Sequence, residues 1–410
     1  MSTVSIAGST ATQLATQLQQ VFGQAANEPF NVVSKSVFSK LQTCHTAANG
    51  CHLYRCNDAA CKHLHHQYHS CGNRHCPNCG GFKKDVWTEN LRADLLPTAY
   101  YHVVFTLPHE LHPIILGNRK PLFKLLFDAA STTLLQFAKD PQWLGGTCSI
   151  TAVLHTWGQQ LSFHPHIHCI VSGGGVDANN NWIAAKRSNN KFLFPVAALQ
   201  DVFKGKYLAG LNLLVQQQAL QLTGIDAARL IKKAGYKKWV VYAKSPFGSV
   251  DNVVDYLGRY THKIAITTHR INSITEHSVL FKYRDYADDN KEKEMLLSRS
   301  EFLRRFELHI LPRGFVKIRH YGLLQNHGKT ARLNAIRKQL QIPPLRQRVT
   351  IPVSILLLEK YGKDITLCPK CNVGKLELIG ISYSRTTTTT PLQRQPVVTN
   401  STTTQIHAPP

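Results

Sequence analysis

Alternation of apolar and polar positions predicts several β-strands in the middle of the chain. The predicted strands combine β-branched and aromatic residues, and they end at proline, glycine or polar residues. They occupy residues 100–108, 149–161, 165–171, 237–243 and 278–283. In the third of these strands Ile167, Ile170 and Val171 supply β-forming bulk. Ser172 and the glycines at 173–175 are expected to end that strand as a flexible turn.

Apolar residues at helical spacing predict helices between these strands. One helix is expected at residues 119–138, and a helical pattern continues over residues 196–234. Ser249 is suited to cap a further helix that reaches about residue 263. The apolar stripe of this last helix consists of Val250, Val253, Val254 and Leu257. Residues 285–294 mix acidic and basic side chains and are expected to form a linker.

Two histidines share one face of the strand predicted at residues 165–171. Successive side chains of a strand alternate between its faces, so His166 and His168 point the same way while Ile167 points to the core. Two imidazoles about 7 Å apart on a rigid strand can bind one metal ion. The alternative is a pair of surface histidines on a half-buried strand. For an isolated His-x-His motif this alternative is favoured.

A third ligand for such an ion can come from the strand predicted at residues 149–161. His155, Trp157 and Gln159 share one face of that strand by alternation. Gln159 is the tentative third ligand and His155 is the other choice. Both choices depend on the register between neighbouring strands.

Two tyrosines lie on one side of the helix that follows Ser249. Tyr256 and Tyr260 are four residues apart, at the edge of the apolar stripe. A tyrosine at such an edge is usually a core aromatic whose hydroxyl reaches water. Taken alone, this pair therefore favours a structural interpretation.

The charge of the chain indicates a polyanionic partner. Lysine and arginine number 48 against 24 acidic residues, which gives a net charge of +24. The basic residues are spread along the chain, and this favours nucleic acid as the partner. An anionic membrane is the alternative, but no basic amphipathic helix with an aromatic face supports it. No stretch approaches the apolar length of a membrane span, so a soluble, cytoplasmic and nucleoid-associated protein is expected.

The cysteines are clustered, and histidines lie among them. Seven of the 11 cysteines fall between Cys44 and Cys79, which is typical of zinc ligands rather than disulfides. The cluster offers too many ligands for one ion and about enough for two, in structural sites. The candidate ligands are Cys44, His52, Cys56, Cys61, Cys71, His75, Cys76 and Cys79, and their grouping stays open. Cys368 and Cys371 form half a zinc site without a matching pair.

A basic block with interleaved aromatic residues lies near the C-terminus. Its side chains could contact DNA and stack on bases, or they could form a solvated basic surface. The candidate DNA-binding residues are Arg313, Lys317, Arg319, His320 and Tyr321. Beyond residue 380 the chain turns to Thr, Pro and Gln and is expected to be disordered.

Taken together, these segments resemble the rolling-circle transposases of the insertion sequence 91 type. That group belongs to the single-strand endonucleases with a His-hydrophobic-His motif and catalytic tyrosines. The resemblance covers roughly residues 40–375 and rests on the combination of motifs in their order. The matching segments are residues 68–79, 105–108, 155–159, 164–175, 256–260 and 311–322.

The resemblance implies an α+β fold, with a central antiparallel sheet flanked by helices and an N-terminal zinc-binding module. It implies that His166 and His168 hold Mg²⁺ or Mn²⁺, and that Tyr256 and Tyr260 are both nucleophiles. The expected protein is a DNA transposase that nicks and rejoins single-stranded DNA at element ends and target, through covalent 5′-phosphotyrosine intermediates. A plasmid replication initiator or relaxase is one alternative, and a non-catalytic zinc-dependent DNA-binding protein is the other.

The expected domain organisation follows the same motifs. An N-terminal segment precedes a zinc-binding DNA-binding module, a catalytic endonuclease domain, a basic DNA-binding region and a disordered tail. Their expected boundaries are residues 1–35, 36–95, 96–285, 286–380 and 381–410.

Overall fold

The computed structural model describes most of the chain. The described residues are 4–79, 81–186, 193–261, 265–286, 288–345, 352–383 and 390–391. The chain forms two compact units, and each of them is discontinuous in sequence. The first unit consists of Met1–Gln42 and Gly72–Ile351, and the second consists of Thr43–Cys71 and Pro352–Pro410. The boundary expected at residue 285 therefore does not coincide with a boundary between units.

Both units contain antiparallel sheets. The strands are β1 Gly50–Cys56, β2 Leu64–Tyr68, β3 Tyr100–Thr106, β4 Thr147–Trp157, β5 Phe163–Val176, β6 Trp182–Ala184, β7 Val240–Lys244, β8 Ile271–Ile274, β9 Ser278–Asp285, β10 Lys291–Ser298, β11 Ile318–Gly322, β12 Leu376–Tyr383 and β13 Thr390–Pro391. The α-helices are α1 Val4–Gln24, α2 Val32–Gln42, α3 Gly81–Asp94, α4 His112–Gly117, α5 Arg119–Lys139, α6 Val196–Gln216, α7 Ala227–Tyr236, α8 Val250–Thr261, α9 Arg299–Glu307, α10 Lys329–Gln339 and α11 Val353–Tyr361. No described helix is long and apolar enough to cross a membrane.

A six-stranded antiparallel sheet organises the first unit. Its strand order is β11-β4-β5-β3-β7, with β6 paired to β5. Alternation sends Ile167, Val103 and Phe105 to one face, where α5 and α6 cover them in the main hydrophobic core. The opposite face carries Val153 and Ile170, which pack with residues of α3 and α8. The expected α+β fold, with helices flanking an antiparallel sheet, is confirmed.

The glycine segment does not end β5 as expected. The strand runs through it to Val176, and Gly174 and Gly175 pair with β6. Crowding explains why these positions carry no side chain, because a Cβ at Gly174 would collide with the Trp182 ring. A Cβ at Gly175 would collide with the Thr147 carbonyl of β4. Glycine here permits close packing of strands and provides no flexible turn.

Two other segments differ from the expected elements. The helical pattern over residues 196–234 divides into α6 and α7, and Gly224 with a φ of +71° lies between them. Asp226 caps α7 by accepting the Arg229 N–H at 2.9 Å. The expected linker at residues 285–294 is partly strand, since β10 begins at Lys291 and pairs with β9. The strand was not predicted from the sequence because its charged side chains lie on an exposed hairpin and give no apolar alternation.

The N-terminal helices pack within the first unit. Phe22 of α1 and Phe38 of α2 meet Phe306 of α9, with ring centroids 5.2–5.8 Å apart. A three-stranded sheet of β8, β9 and β10 belongs to the same unit. Phe22, in the expected N-terminal segment, thus contributes to the hydrophobic core of this unit.

The second unit joins distant parts of the chain in one sheet. Its strand order is β13-β12-β1-β2. Strand β12 pairs antiparallel with β1, so that Cys56 lies opposite Leu376 and Gly50 lies opposite Tyr383. The expected disordered tail therefore begins inside a strand, because β12 extends to Tyr383 and β13 pairs with it. Most of the remaining tail lies outside the described residues.

Candidate active site and metal centres

Strands β4 and β5 bring three histidines together. His166 and His168 lie on β5, and His155 lies opposite His166 in the antiparallel register with β4. One ring nitrogen of each histidine lies within 4.8 Å of those of the other two. The sequence pattern identified the β5 pair, and the sheet register supplies the third imidazole.

Gln159, the tentative third ligand, lies elsewhere. Strand β4 ends at Trp157, so the alternation used to place Gln159 does not extend to it. Its Nε2 donates a hydrogen bond to the Tyr286 hydroxyl at 3.0 Å. The structure therefore favours His155, the other residue considered from the sequence.

A fourth histidine, His102, lies behind the group and was not identified from the sequence. It projects from β3, which pairs with β5, and it is buried. Its Nε2 lies 2.9 Å from Nδ1 of His168, and the two rings are parallel. Alternation within residues 100–106 indicates the face on which His102 lies. Only the pairing of β3 with β5 shows that this face is the one that carries His168.

Helix α8 places Tyr256 over these histidines. The Ser249 hydroxyl accepts the Asn252 N–H at 3.2 Å, as expected for the N-cap, and Val253 and Leu257 pack on the sheet. The Tyr256 hydroxyl lies 3.0 Å from Nε2 of His102 and 3.3 Å from Nδ1 of His168. A core aromatic at a stripe edge would present its hydroxyl to water, whereas this one is held among imidazoles.

Tyr260 lies one turn further along α8, close to its end at Thr261. The four-residue spacing puts it on the same side of the helix as Tyr256. The placement of its side chain is outside the described residues.

Burial keeps the His102 imidazole neutral near pH 7. It lowers the pKa of His102 to about 3, with smaller contributions from Lys244 and His166. Among the described residues, the ligand group at this site contains imidazoles alone. Neutral imidazoles suit a divalent transition ion, and three of them leave coordination positions for water or substrate oxygens. The residues present therefore fit a divalent cation.

The basic block forms an edge of the same sheet, since β11 pairs with β4. Arg313 is exposed, whereas the Arg319 guanidinium lies over the rings of Phe127 and Phe315 at 4.3 and 5.3 Å. His320 Nδ1 lies 3.1 Å from the Thr151 hydroxyl. The partly buried Tyr321 also lies within β11. Most of this block thus has partners within the protein.

Lys317 lies immediately before β11 and close to the histidines. Its ammonium is 5.2 Å from the centre of the Trp157 ring, and that ring stacks on His155 at 4.8 Å. Burial lowers the pKa of Lys317 to about 7, and the nearby Arg74 contributes. Among the candidate DNA-binding residues, Lys317 thus contacts the histidine group through the Trp157 ring.

A group of four thiols lies in the second unit. The Sγ atoms of its members all lie within 4.8 Å of one another. The members are Cys56, Cys61, Cys368 and Cys371. The Cys368 and Cys371 pair, which had no matching pair in the sequence interpretation, therefore has one.

The other four candidate cysteines fall into two pairs. In the second unit, the Cys44 sulfur accepts the Cys71 N–H at 3.4 Å. In the first unit, the Cys76 sulfur accepts the Asn78 N–H at 3.4 Å, in the turn that leads to Cys79. Amide groups directed at sulfur are typical of zinc knuckles.

Two candidate histidines have other partners. Nε2 of His75 accepts the Leu311 N–H at 3.3 Å, and burial lowers the pKa of His75 to about 3. Nδ1 of His52 lies 3.2 Å from Nε2 of His69. Within the described part of the chain, neither His52 nor His75 belongs to a group of three or more potential metal ligands.

Comparison with known proteins identifies the class. Residues 149–331, which contain the three histidines and Tyr256, match a family described as "Putative transposase". Residues 15–107 match the "Transposase zinc-binding domain". No solved structure matches the chain. The fold and site therefore belong to a DNA transposase with a zinc-binding domain.

Two relatives extend over most of the chain. "Putative transposase y4qJ" of Sinorhizobium fredii is 36% identical over 371 residues, which cover 87% of this chain and 92% of the relative. "Transposase for insertion sequence element IS801" of Pseudomonas savastanoi pv. phaseolicola is 31% identical over 293 residues, which cover 70% of this chain and 69% of the relative. The chain belongs to the transposases of the insertion sequence 91 type, and rolling-circle transposition follows from this membership.

Proposed function

We propose that this transposase cuts and rejoins single-stranded DNA at one site, with Tyr256 as nucleophile. In this proposal His155, His166 and His168 hold a divalent cation. The observation that carries it is the position of the Tyr256 hydroxyl, 3.3 Å from a ring nitrogen of His168. A nucleophile and a metal ligand then meet on one face of a rigid sheet.

The residues suit phosphodiester transfer. A divalent cation at the three imidazoles would neutralise the phosphate charge that repels nucleophiles. The Tyr256 oxygen attacks the phosphorus and forms a P–O bond as the bond to the 3′-oxygen breaks. The tyrosine hydroxyl loses its proton, and the leaving 3′-oxygen gains one. The 5′-phosphotyrosine that results conserves the phosphodiester energy, so a second 3′-hydroxyl can be joined without ATP.

Tyr260 is proposed as the second nucleophile. Its position one helical turn after Tyr256 supports this role, because both hydroxyls could then reach one ion. Two tyrosines permit two successive strand transfers, with one holding an end while the other cuts. An ion pair between Arg92 of α3 and Asp251 of α8 links this helix to its neighbour.

The proposed ion is Mn²⁺ or Mg²⁺. Three imidazoles favour Mn²⁺ on ligand softness, whereas Mg²⁺ prefers oxygen ligands. Water and DNA oxygens in the remaining positions would make either ion acceptable. We therefore expect activity with both ions and tighter binding of Mn²⁺.

The DNA path is proposed to pass the histidines along the β11 edge. Support comes from the exposed Arg313 and from Lys317, which is linked to His155 through the Trp157 ring.

Arg319 and His320 contact other protein groups, so we propose that they position the edge strand. We propose Tyr321 for the same positioning role because it lies within β11. The net charge of +24 supports an extended polyanion as substrate.

We further propose that structural zinc occupies the zinc-binding domain. Cys44 and Cys71 of the second unit, and Cys76 and Cys79 of the first unit, are proposed as zinc ligands on the basis of their chain spacing and the amide contacts at sulfur. His52 and His75 are left out because each has another partner.

A nicking assay tests the proposed active site and its metal dependence. The substrates are single-stranded oligonucleotides that carry candidate element ends. Wild type is expected to nick with Mn²⁺ and Mg²⁺ and to be inactive in EDTA. His155→Ala and His166→Ala should each lose activity by about 100-fold or more, because each would remove a ligand. Gln159→Ala is the matched control from the same region and should stay near wild type. Full activity of His155→Ala, or wild-type nicking in EDTA, would refute the proposed metal site.

A further inference from the structure

Two cysteine pairs that are about 300 residues apart in sequence meet in the second unit. One pair lies at and just after the end of β1, and the other lies just before β12. We infer that the four thiols form a structural Zn²⁺ site in which the C-terminal segment supplies half of the ligands. The ligands are Cys56, Cys61, Cys368 and Cys371.

The distances between the sulfur atoms fit a tetrahedral ion. Sγ of Cys56 lies 3.7 Å from Sγ of Cys371, and Sγ of Cys61 lies 3.9 Å from Sγ of Cys368. Zn–S bonds of about 2.3 Å in a tetrahedron place the sulfurs about 3.8 Å apart. A disulfide needs about 2.05 Å between sulfur atoms, so the thiols are not disulfide partners. Four thiolates at this spacing form a closed site of the structural kind.

The C-terminal pair lies in a zinc-knuckle turn. The Cys368 N–H donates to the Gly374 carbonyl at 2.8 Å, and Asn372 adopts a φ of +55° within the turn. The Gly374 N–H donates to the Cys371 sulfur at 3.3 Å. This arrangement directs an amide at a thiolate and lowers the cost of its negative charge.

The N-terminal pair has a longer turn of its own. A carboxylate oxygen of Asp58 accepts the N–H groups of Ala60 and Cys61 at 3.1 and 2.8 Å. This turn accommodates the four residues between Cys56 and Cys61 and brings both thiols to the same side. The spacing is therefore compatible with one ion.

Sheet pairing aligns the two turns. Asn57 and Lys375 exchange hydrogen bonds of 2.9 and 2.8 Å directly beside the thiols. Gly374 has no room for a side chain, because a Cβ would collide with the Cys56 sulfur. The backbone is thus shaped closely around the thiol group, and the ion would lock the β1–β12 pairing.

The site extends the zinc-binding region beyond the matched domain. That domain ends at residue 107, whereas half of these ligands lie between residues 368 and 371. Residues 352–383 would then be an obligatory part of the zinc-bearing unit. A chain that ends before residue 352 would lose β12 and two of the four ligands.

Zinc content measured by plasma mass spectrometry on the full-length protein tests this site. The Cys368→Ser/Cys371→Ser double variant should contain one zinc per chain fewer than wild type. Cys51→Ser is the matched control, because Cys51 lies on β1 but belongs to none of the ligand groups found among the described residues. It should keep the wild-type content. A double variant that retains all its zinc would overturn the assignment.

A second variant keeps the test decisive if the double variant does not fold. Cys371→His preserves a zinc ligand and should retain the wild-type zinc content. After replacement of zinc by Co²⁺, its thiolate-to-cobalt charge-transfer absorption should be weaker than that of wild type, because one thiolate is lost. An absorption spectrum identical to wild type would show that Cys371 is not a ligand and would overturn the site. Zinc content does not depend on nicking, so this result is independent of the proposed nuclease function.

Discussion

At the scale of single residues, the site depends on hydrogen bonds between imidazoles and one hydroxyl. A histidine that binds metal through one ring nitrogen needs a partner for the other. His102 is that partner for His168, and it also contacts the Tyr256 hydroxyl. We therefore expect His102 to orient both the proposed metal ligand and the proposed nucleophile.

Substitution of His102 should weaken metal binding even in the absence of DNA. We expect His102→Phe to lower Mn²⁺ affinity by about 10- to 100-fold, because Nδ1 of His168 loses its nearer partner, at 2.9 Å. His102→Gln retains a polar partner and should restore part of the affinity. Calorimetric titration of the DNA-free protein with Mn²⁺ measures the effect.

Tyr100→Phe provides the matched control for this experiment. Tyr100 lies two residues before His102 on the same face of β3, and its hydroxyl accepts the Leu96 N–H at 2.9 Å. Its loss should lower stability and leave Mn²⁺ affinity unchanged. Equal losses of Mn²⁺ affinity in Tyr100→Phe and His102→Phe would mean that His102 acts only through the stability of the strand.

Local periodicity explains which site residues the sequence could reveal. His166 and His168 share a face because they are two apart on a strand. Helical spacing placed Tyr256 and Tyr260 on one side of a helix but favoured a structural role, and only the family resemblance implied that they are nucleophiles. His102 and His155 reach the site only through strand pairing, and no local pattern carries that information. The Cys368 pair was recognisable as half a site, but its partner pair lies about 300 residues earlier.

At the scale of elements, β5 is the strand on which the site depends. Its glycine segment was predicted as a turn because that prediction used local composition alone. The packing that requires glycine comes from Thr147 and Trp182, which lie on other strands. Strands with β-branched residues, such as β3 and β4, were predictable because their core face was apolar.

Gly175→Ala should destabilise the fold by about 1–3 kcal/mol, because the new methyl group would displace the β4 backbone. Gly205→Ala is the control, since nothing lies within 4 Å of a Cβ there and the residue is within α6. The control should stabilise the protein by up to about 1 kcal/mol. Denaturant unfolding of both variants measures the difference, and equal stability of the two would contradict the packing argument.

At the scale of the whole molecule, buried histidines link stability to pH. Burial lowers the pKa of His309 to about 4 and that of His75 to about 3. The unfolded chain takes up these protons near the ordinary pKa of about 6.5, whereas the folded chain does not. Stability should therefore fall as the pH drops from about 7 towards 4.

His309→Gln should reduce the loss of stability between pH 7 and pH 5 by about 2 kcal/mol. The exposed His277 provides the control, and His277→Gln should leave the pH dependence as in wild type. Urea unfolding at both pH values measures the effect, and the comparison with the control removes the contribution of zinc thiolates. An unchanged pH dependence in His309→Gln would argue against its buried, neutral state.

The central claim is that Tyr256 forms a covalent bond to DNA, with Tyr260 as a second nucleophile. The most direct measurement incubates the protein with Mn²⁺ and a cleavable single strand, isolates the protein–DNA adduct under denaturing conditions and maps it by mass spectrometry. We expect Tyr260→Phe to carry the adduct on Tyr256, Tyr256→Phe to carry it on Tyr260, and the double variant to form none while still binding DNA. An adduct in the double variant, or none on Tyr256 in Tyr260→Phe, would contradict the account.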